Sequence, residues 1–145
     1  MPKVKVAYVC VHNSCRSQIA EALTNHYFSK DLKAYSGGTQ LKNEINSDAV
    51  FILKDKFAID IAGKQIPKSV YTLPPIDIVI TMGCEVDCPY LPCQFREDWG
   101  LDDPTGKGLL AMEETANTIK EKIEKLVTRI KKKEIIIKQV RETKC

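Results

Sequence analysis

The stretch from Tyr8 to Leu23 reads YVCVHNSCRSQIAEAL and contains three kinds of local pattern. An apolar segment typical of a strand comes first, a short polar loop follows, and apolar residues at helical spacing complete the stretch. A strand that passes through a tight loop into a helix is the building unit of parallel α/β sheets. The stretch therefore predicts the first strand, loop and helix of an α/β domain.

The rest of the chain continues this alternation. Predicted strands cover residues 3–9, 32–35, 76–82 and 95–100, and predicted helices cover residues 15–28, a segment that starts at Ser47 and a segment that starts at Leu110. The pattern predicts a three-layer α/β sandwich, with a four-stranded parallel sheet flanked by helices, in a single domain of residues 1–145. The lysine-rich residues 131–145 are expected either to extend the last helix or to fray.

Composition excludes several classes of protein. An apolar content of 43% and a charged content of 28% are ordinary for a globular domain. The net charge of +3 comes without a basic and aromatic patch, so nucleic acid is not an expected partner. No apolar run approaches the ~20 residues of a membrane span, and the N-terminus lacks a signal-peptide core. We expect a cytoplasmic monomer that does not bind membranes.

Six cysteines are many for such a chain. A disulfide scaffold is not favoured, because the chain is long enough to fold without cross-links and carries no export signal. Cysteines that cluster in a cytosolic protein more often bind metals or take part in redox chemistry. The cysteines therefore become candidates for a reactive site.

The loop after the first predicted strand has the properties of an oxyanion site. A loop between strand and helix directs backbone N–H groups inward, and the helix N-terminus adds a partial positive charge. The Arg16 guanidinium matches two oxygens of a tetrahedral anion, and the same field favours the thiolate of Cys10. Ser17 is placed to donate to that sulfur, and Asn13 to hold the loop's shape. The predicted anion-binding residues are Val11, His12, Asn13, Ser14, Cys15, Arg16 and Ser17. The simpler alternative is that Cys10 is only a buried core cysteine.

A second cysteine follows the third predicted strand. Ligands of parallel α/β sheets bind beyond the carboxyl ends of the strands. Cys10 and Cys84 come just after the first and third predicted strands. The two cysteines are therefore expected on the same edge of the sheet.

The segment VCVHNSCRSQIAEA, from Val9 to Ala22, closely resembles the active-site loop and first helix of the low-molecular-weight protein tyrosine phosphatase superfamily. Within that superfamily it is most similar to the thioredoxin-coupled arsenate reductases. The similarity continues through SGGT (residues 36–39), MGC (82–84) and DWGLDDP (98–104), and covers most of the chain to about residue 130.

The resemblance implies a redox relay of three cysteines. Cys10 would attack arsenate to form a thiol–arsenate adduct, and Cys84 would attack Cys10 so that arsenite leaves. Cys88 would then attack Cys84, and thioredoxin would reduce the resulting Cys84–Cys88 disulfide. Only three residues separate Cys84 from Cys88, fewer than in one branch of the family, and Cys93 follows. Cys93 is therefore an alternative to Cys88 as the final cysteine of the relay. A low-molecular-weight thiol is an alternative to thioredoxin as the reductant.

The resemblance also implies a general acid. Asp103, directly before Pro104, matches the family's proton donor, which assists departure of an oxygen opposite the attacking thiolate. Asp102 is the rival candidate. Cys15 is expected either to pair with Cys10 or simply to pack.

Two further alternatives concern the type of activity. A tyrosine phosphatase would hydrolyse a phosphocysteine with water, but that branch places aromatic residues after the Asp-Pro pair, where this chain has Thr105 and Gly106. Zinc bound by Cys84, Cys88 and Cys93 would need a fourth ligand and is less favoured.

Some relatives hold a potassium ion behind the loop. The resemblance places candidate ligands at Asn13, Glu21 and Ser36, while the other expected positions carry Gly63 and Gln65. No tightly bound cofactor is otherwise expected.

Overall fold

The structure is a computed structural model that describes residues 3–83 and 91–138. The strands are β1 (Val4–Val9), β2 (Leu32–Gly37), β3 (Ile78–Thr81) and β4 (Phe95–Asp98). The helices are α1 (Arg16–Tyr27), α2 (Ser47–Phe57) and α3 (Leu109–Lys131), with a short 3-10 turn at Val70–Thr72. All strand pairs are parallel, in the order β2-β1-β3-β4, so the predicted α/β class with a four-stranded parallel sheet is confirmed.

The register brings the carboxyl ends of the strands level. Val9 at the end of β1 pairs with Gly37 of β2 and with Thr81 of β3, and Thr81 pairs with Asp98 of β4. The loops that follow β1, β3 and β4 therefore meet at one edge of the sheet. Every residue of β3 is buried, which explains its continuous β-branched sequence.

The two faces of the sheet are covered differently. The three helices share one apolar cluster with the β1 side chains of Val6 and Tyr8. On the opposite face, Val9 and Val79 pack against Val70 of the 3-10 turn. The predicted helical stripes supply the first cluster, in which Ile19, Leu23, Met112, Ile119 and Ile123 are buried. No helix among the described residues is long and apolar enough to cross a membrane.

The chain turns back after the last helix. α3 ends at Lys131, and Lys133 has a φ of 61°, a left-handed conformation that interrupts a helix. The turn returns Ile135 to the core, where 4% of it is exposed. Helical extension, one of the two outcomes expected for the tail, therefore does not occur in residues 132–138, because a straight helix would leave Ile135 outside the core. Cys145 lies outside the described residues.

Candidate active site

Cys10 lies directly after β1, at the edge where the strands end. Its backbone N–H donates to the carbonyl of Gly37 at 3.3 Å, which ties the loop to the end of β2. The side chain is 5% exposed, and its Sγ lies 2.8 Å from Oγ of Ser17 in the first turn of α1. The predicted nucleophile is thus a nearly buried sulfur at the base of residues 10–17, the segment called the reactive loop below.

The carbonyl groups of the reactive loop are bonded on its outer side. The carbonyl oxygens of Val11, His12 and Ser14 accept hydrogen bonds of 2.7–3.3 Å from backbone N–H groups within residues 39–46. In a trans peptide the C=O and the following N–H point in opposite directions, so the matching amide hydrogens face the inner side of the loop. This orientation suits an anion.

The N-terminus of α1 adds to this field. Cys15 is the N-cap residue of α1, and its side chain makes no capping hydrogen bond. The first-turn amides of α1 are therefore not satisfied by a cap, which is the arrangement that helix N-termini use to bind anions. His12 stands on the outer wall, where its Nδ1 donates to the carbonyl of Gln40 at 2.8 Å.

Gly38 supports the reactive loop from below. A Cβ at this position would lie 2.6 Å from the carbonyl oxygen of Val11 and 2.8 Å from that of Cys10. Such distances leave no space for a side chain, so the close packing of β2 against the loop requires glycine. This gives a physical reason for the SGGT segment noted in the sequence.

Asn13 organises the interior of the loop. Its side chain is fully buried, and its φ of 49° lies in the left-handed region that asparagine tolerates. Its Oδ1 accepts from Nε2 of Gln18 at 2.9 Å and from the backbone N–H of Lys68 at 2.8 Å. A backbone N–H can only donate, so the atom that faces Lys68 is the oxygen, and Nδ2 faces Ser17.

The orientation of Asn13 determines what Ser17 can do. Nδ2 of Asn13 donates to Oγ of Ser17 at 2.8 Å. The single hydroxyl hydrogen of Ser17 then remains for the sulfur of Cys10, and a hydrogen bond to a charged acceptor is stronger than one to a neutral acceptor. The chain of contacts Lys68–Asn13–Ser17–Cys10 therefore directs the Ser17 hydroxyl at the Cys10 sulfur.

Arg16 connects three loops at this edge. Its Nη1 donates to the carbonyls of Met82, after β3, and Leu101, after β4, both at 2.6 Å. A Cβ on the adjacent Gly83 would lie 2.6 Å from the Leu101 carbonyl oxygen. The segment that leads to Cys84 thus begins beside Arg16. Cys84 and Cys88 themselves lie outside the described residues.

Asp98 is a site residue that sequence reasoning missed. Its Oδ1 accepts from Oγ1 of Thr81 at 2.6 Å and from the N–H of Gly83 at 3.0 Å. Asp98 therefore fixes the last described residue before Cys84. A lone aspartate at a strand end has no distinctive signal, so the sequence indicated it only as part of a longer similarity.

Asp103 is held in a tight turn. Its Oδ1 accepts from the N–H of Thr105 at 3.0 Å and from Oγ1 of Thr105 at 2.7 Å. Burial alone would raise the pKa of Asp103, but these hydrogen bonds and the charges of Arg16 and Lys42 outweigh burial and hold the pKa below its usual value. In this state the carboxyl group is ionised at neutral pH. Asp102, the rival candidate, is also exposed at this turn.

Cys15 packs as a protonated thiol. Its Sγ lies 3.4 Å from Sδ of Met112, and the residue is 4% exposed. Burial, together with the nearby Asp103 and Cys10, raises the pKa of Cys15 to about 12, although Arg16 acts in the opposite direction. Packing, one of the two roles expected for Cys15, is what the structure shows, with Cys10 and Cys15 both free.

Cys93 lies at the other edge of the sheet. The residue that follows it, Gln94, donates its backbone N–H to the carbonyl of Asp77, just before β3 begins. Cys93 is five residues before Asp98, which corresponds to about 16 Å along the strand direction. Its side chain packs with the cluster of Val9, Val70 and Val79, on the face of the sheet opposite the three helices.

Two of the three side chains expected to ligate potassium, those of Glu21 and Ser36, contact an ammonium group. Nζ of Lys68 lies 2.9 Å from Oε1 of Glu21 and 3.2 Å from Oγ of Ser36. Lys68 was not identified from the sequence, because lysine in an irregular segment carries no pattern. Elsewhere in residues 3–83 and 91–138, no three His, Cys, Asp or Glu side chains cluster as metal ligands would.

A parallel sheet whose first strand leads into an anion-binding loop, with a buried cysteine and an arginine at its ends, defines the class of cysteine-dependent phosphatase folds. Residues 5–136 match the model of the low molecular weight phosphotyrosine protein phosphatase family, and the chain belongs to this family. The resemblance noted from the motifs is thereby confirmed.

The similar proteins within this family include arsenate reductases. The chain is 34% identical over 135 residues to arsenate reductase 2 of Staphylococcus haemolyticus, a match that covers 89% of this chain and all of that protein. It is 31% identical over 130 residues to the glutaredoxin arsenate reductase of Synechocystis sp., covering 87% of this chain and 98% of that protein.

Solved structures agree with these matches. An arsenate reductase in the phosphate binding state has a TM-score of 0.77 and 30% identity, with 88% of this chain and 98% of that chain covered. A thioredoxin-dependent arsenate reductase from Corynebacterium glutamicum has a TM-score of 0.67 and 32% identity, with 88% of this chain and 63% of that chain covered.

Proposed function

We propose that this protein is an enzyme that reduces arsenate to arsenite, with Cys10 as the nucleophile. The observation that carries the proposal is the contact between Sγ of Cys10 and Oγ of Ser17 at 2.8 Å, inside a loop whose amides face inward. Several relatives that match nearly the whole chain are named arsenate reductases, which favours arsenate over other tetrahedral anions.

The first step is attack on arsenic. The reactive loop and Arg16 would hold the oxyanion, and the Cys10 thiolate would form a sulfur–arsenic bond. One oxygen leaves arsenic as water after it receives a proton, and Asp103 is the proposed donor. Because Asp103 is ionised in the structure, it has to gain that proton first, and a protonated form of the bound oxyanion is the nearest source.

The second step transfers two electrons. The Cys84 thiolate attacks the Cys10 sulfur and forms a disulfide, while the electron pair of the sulfur–arsenic bond remains on arsenic, which leaves as arsenite. Cys88 then attacks Cys84, the Cys10 thiolate is released, and a Cys84–Cys88 disulfide remains. The position of Gly83 beside Arg16 supports Cys84 as the attacking thiol.

We favour Cys88 over Cys93 as the final thiol. Cys93 packs at the opposite edge of the sheet, about 16 Å along the strand direction from Asp98, whose carboxylate fixes Gly83 directly before Cys84. Cys88 is only four residues from Cys84 in the sequence. Attack by Cys88 on Cys84 therefore closes a shorter loop of the chain, which costs less conformational entropy.

Thioredoxin is the proposed reductant of this disulfide. Named relatives include both a thioredoxin-dependent and a glutaredoxin arsenate reductase, so the two reductants need a direct comparison. The test is arsenate-dependent NADPH consumption by the purified full chain, with thioredoxin and its reductase in one arm and with glutathione, glutaredoxin and glutathione reductase in the other. We expect turnover in the thioredoxin arm.

Variants assign the cysteines. Cys10→Ser should lose arsenate turnover and aryl-phosphate hydrolysis, while Cys84→Ser and Cys88→Ser should lose only arsenate turnover. Cys93→Ser is the matched control and should keep both activities. Normal arsenate turnover by Cys84→Ser would contradict the relay. Loss of turnover in Cys93→Ser, with turnover retained in Cys88→Ser, would identify Cys93 as the final thiol.

Hydrolysis of small phosphate monoesters is a second candidate activity. Phosphate and arsenate are both tetrahedral oxyanions, and one solved relative is an arsenate reductase in a phosphate binding state. The activity needs Cys10, Arg16 and the acid but not the other cysteines. It therefore reports on the first step alone.

A further inference from the structure

The backbone of Lys68 is fixed on both sides. Its N–H donates to Oδ1 of Asn13 at 2.8 Å, and its carbonyl accepts from the N–H of Gly38 at 2.9 Å. Gly38 also forms a parallel bridge with Ser69, so this segment continues the sheet beside β2. Lys68 therefore projects its side chain from a defined position next to the reactive loop.

The ammonium of Lys68 neutralises a buried carboxylate. Nζ lies 2.9 Å from Oε1 of Glu21 and 3.2 Å from Oγ of Ser36, and the Ser36 hydroxyl donates to the same Glu21 oxygen at 2.8 Å. Glu21 is 8% exposed and Ser36 is fully buried. A buried carboxylate is costly unless a positive group and hydrogen bonds compensate for lost water, and Lys68 supplies the positive group.

The same contacts already occupy several of the oxygens that a potassium ion would need. A cation needs oxygen lone pairs, but both lone pairs of Asn13 Oδ1 already accept N–H donors, and Glu21 Oε1 accepts both the Ser36 hydroxyl and the Lys68 ammonium. Gly63 has no side-chain donor atom, and Nε2 of Gln65 donates to Oε1 of Gln18 at 2.7 Å. A potassium ion would have to displace the Lys68 ammonium to reach Oε1 of Glu21.

We propose that Lys68 is a built-in cation that replaces an exchangeable monovalent ion behind the reactive loop. One residue then performs two tasks: its N–H orients Asn13, and its ammonium balances Glu21 one helical turn after Ser17. A covalently tethered charge is present at every salt composition. The stability of the protein and the reactivity of Cys10 are therefore independent of potassium, whichever oxyanion the loop binds.

The test compares potassium with a cation too large for the site. Melting temperature and the alkylation rate of Cys10 by iodoacetamide are measured in potassium chloride and in choline chloride at equal ionic strength. The unmodified protein should give the same values in both salts. Lys68→Ala removes the ammonium and leaves Glu21 unpaired in an enlarged space. In choline it should melt at lower temperature and alkylate several-fold more slowly, and potassium should restore part of both losses.

Two variants control this result. Lys64→Ala removes an exposed lysine of the same segment and should behave like the unmodified protein. The double variant Glu21→Gln/Lys68→Ala removes both charges and should not respond to potassium. If Lys68→Ala does not fold, the unmodified protein and Glu21→Gln still decide the question, because neither should respond to potassium.

Two results would overturn the proposal. A clear rise in the melting temperature of the unmodified protein on exchange of choline for potassium would show an exchangeable ion site. A folded Lys68→Ala variant with no loss in choline would show that Lys68 does not compensate Glu21. Neither measurement uses arsenate or a reductant, so the outcome is separate from that of the reductase assay.

Discussion

The backbone N–H of Lys68 donates to Oδ1 of Asn13 at 2.8 Å across 55 residues of sequence, and this contact fixes how the Asn13 amide faces Ser17. Because Nδ2 must then donate to Ser17, the hydroxyl of Ser17 is directed to the Cys10 sulfur. The reactivity of Cys10 therefore depends on a chain of contacts that begins far from the reactive loop in sequence.

Removal of the Ser17 hydroxyl should make Cys10 less reactive. Ser17→Ala removes the hydrogen bond to the reacting sulfur, an interaction worth about 1.5–3 kcal/mol when the acceptor is charged, so alkylation should slow on the order of 10- to 100-fold. The measurement is the rate of Cys10 alkylation at neutral pH, followed by mass spectrometry.

The control for this variant is Ser29→Ala, which removes a hydroxyl from an exposed turn after α1. Its alkylation rate should equal that of the unmodified protein. An unchanged rate in Ser17→Ala would mean that the Ser17 hydroxyl does not contribute to the reactivity of Cys10.

Gly38→Ala should deform the reactive loop. The added Cβ would approach the carbonyl oxygens of Val11 and Cys10 within 2.6–2.8 Å, so the loop has to shift, at a cost of about 1–3 kcal/mol of stability. Gly63→Ala is the comparison: its φ of 72° costs about 1–2 kcal/mol through backbone strain, but no atom lies within 4 Å of the added Cβ. Only Gly38→Ala should slow Cys10 alkylation; equal effects on that rate would disprove the steric explanation.

The sequence predicted the parts of this site that are local. Cys10 and Arg16 belong to one strand–loop–helix unit, and its spacing alone places them at the end of a parallel strand. Lys68 and Asp98 were not recognised, because their roles depend on contacts across 55 and 15 residues that no periodicity reveals.

The bounds of the third strand also differ between the sequence prediction and the structure. The apolar run predicted a third strand over residues 76–82, whereas the hydrogen-bonded strand is Ile78–Thr81. Ile76 and Met82 lie outside the paired residues of β3 and pack against the apolar clusters on opposite faces of the sheet, although Met82 still donates its N–H to the Val9 carbonyl at 3.0 Å. Hydrophobicity reports burial, and burial extends further along the chain than strand pairing does.

Asp98 should matter more for arsenate reduction than for phosphate release. Asp98→Ala removes the acceptor for the N–H of Gly83 and the hydroxyl of Thr81. Gly83, which directly precedes Cys84, is then held less firmly. We expect a several-fold loss of arsenate turnover with a smaller loss of aryl-phosphate hydrolysis. Parallel assays of both reactions provide the measurement. Equal losses in the two assays would indicate a general structural effect instead.

Cys15 should resist alkylation until the pH is strongly alkaline. Burial raises its pKa to about 12, so almost none of it is thiolate at neutral pH. In a Cys10→Ser background, labelling of Cys15 by iodoacetamide should be at least on the order of tenfold slower than labelling of the half-buried Cys93, and should rise with pH. Equal labelling at neutral pH would contradict the packing shown here.

Thr105 should set the pH range in which Asp103 acts as an acid. The pKa of Asp103 is lowered despite burial, chiefly by the hydrogen bonds from Thr105, so the proton that a general acid needs is lost at low pH. Thr105→Ala removes the bond from Oγ1 and keeps the one from the backbone, so the pKa of Asp103 should rise. More of the free enzyme is then protonated at any given pH. The falling limb of kcat/KM for aryl-phosphate hydrolysis should therefore move to higher pH.

The lowered pKa of Asp103 also determines how the stability of the fold changes with pH. A carboxyl group whose folded pKa is lowered stabilises the fold above its unfolded pKa of about 3.9, and this contribution disappears as the pH falls through the folded value. Thr105→Ala should therefore reduce the loss of stability on acidification, measured by thermal melting.

Asp103→Asn should remove the falling limb of the rate profile, and Asp102→Asn should leave it in place. If instead Asp102→Asn removes the limb, the proton comes from Asp102, and the Thr105 turn has only a structural role.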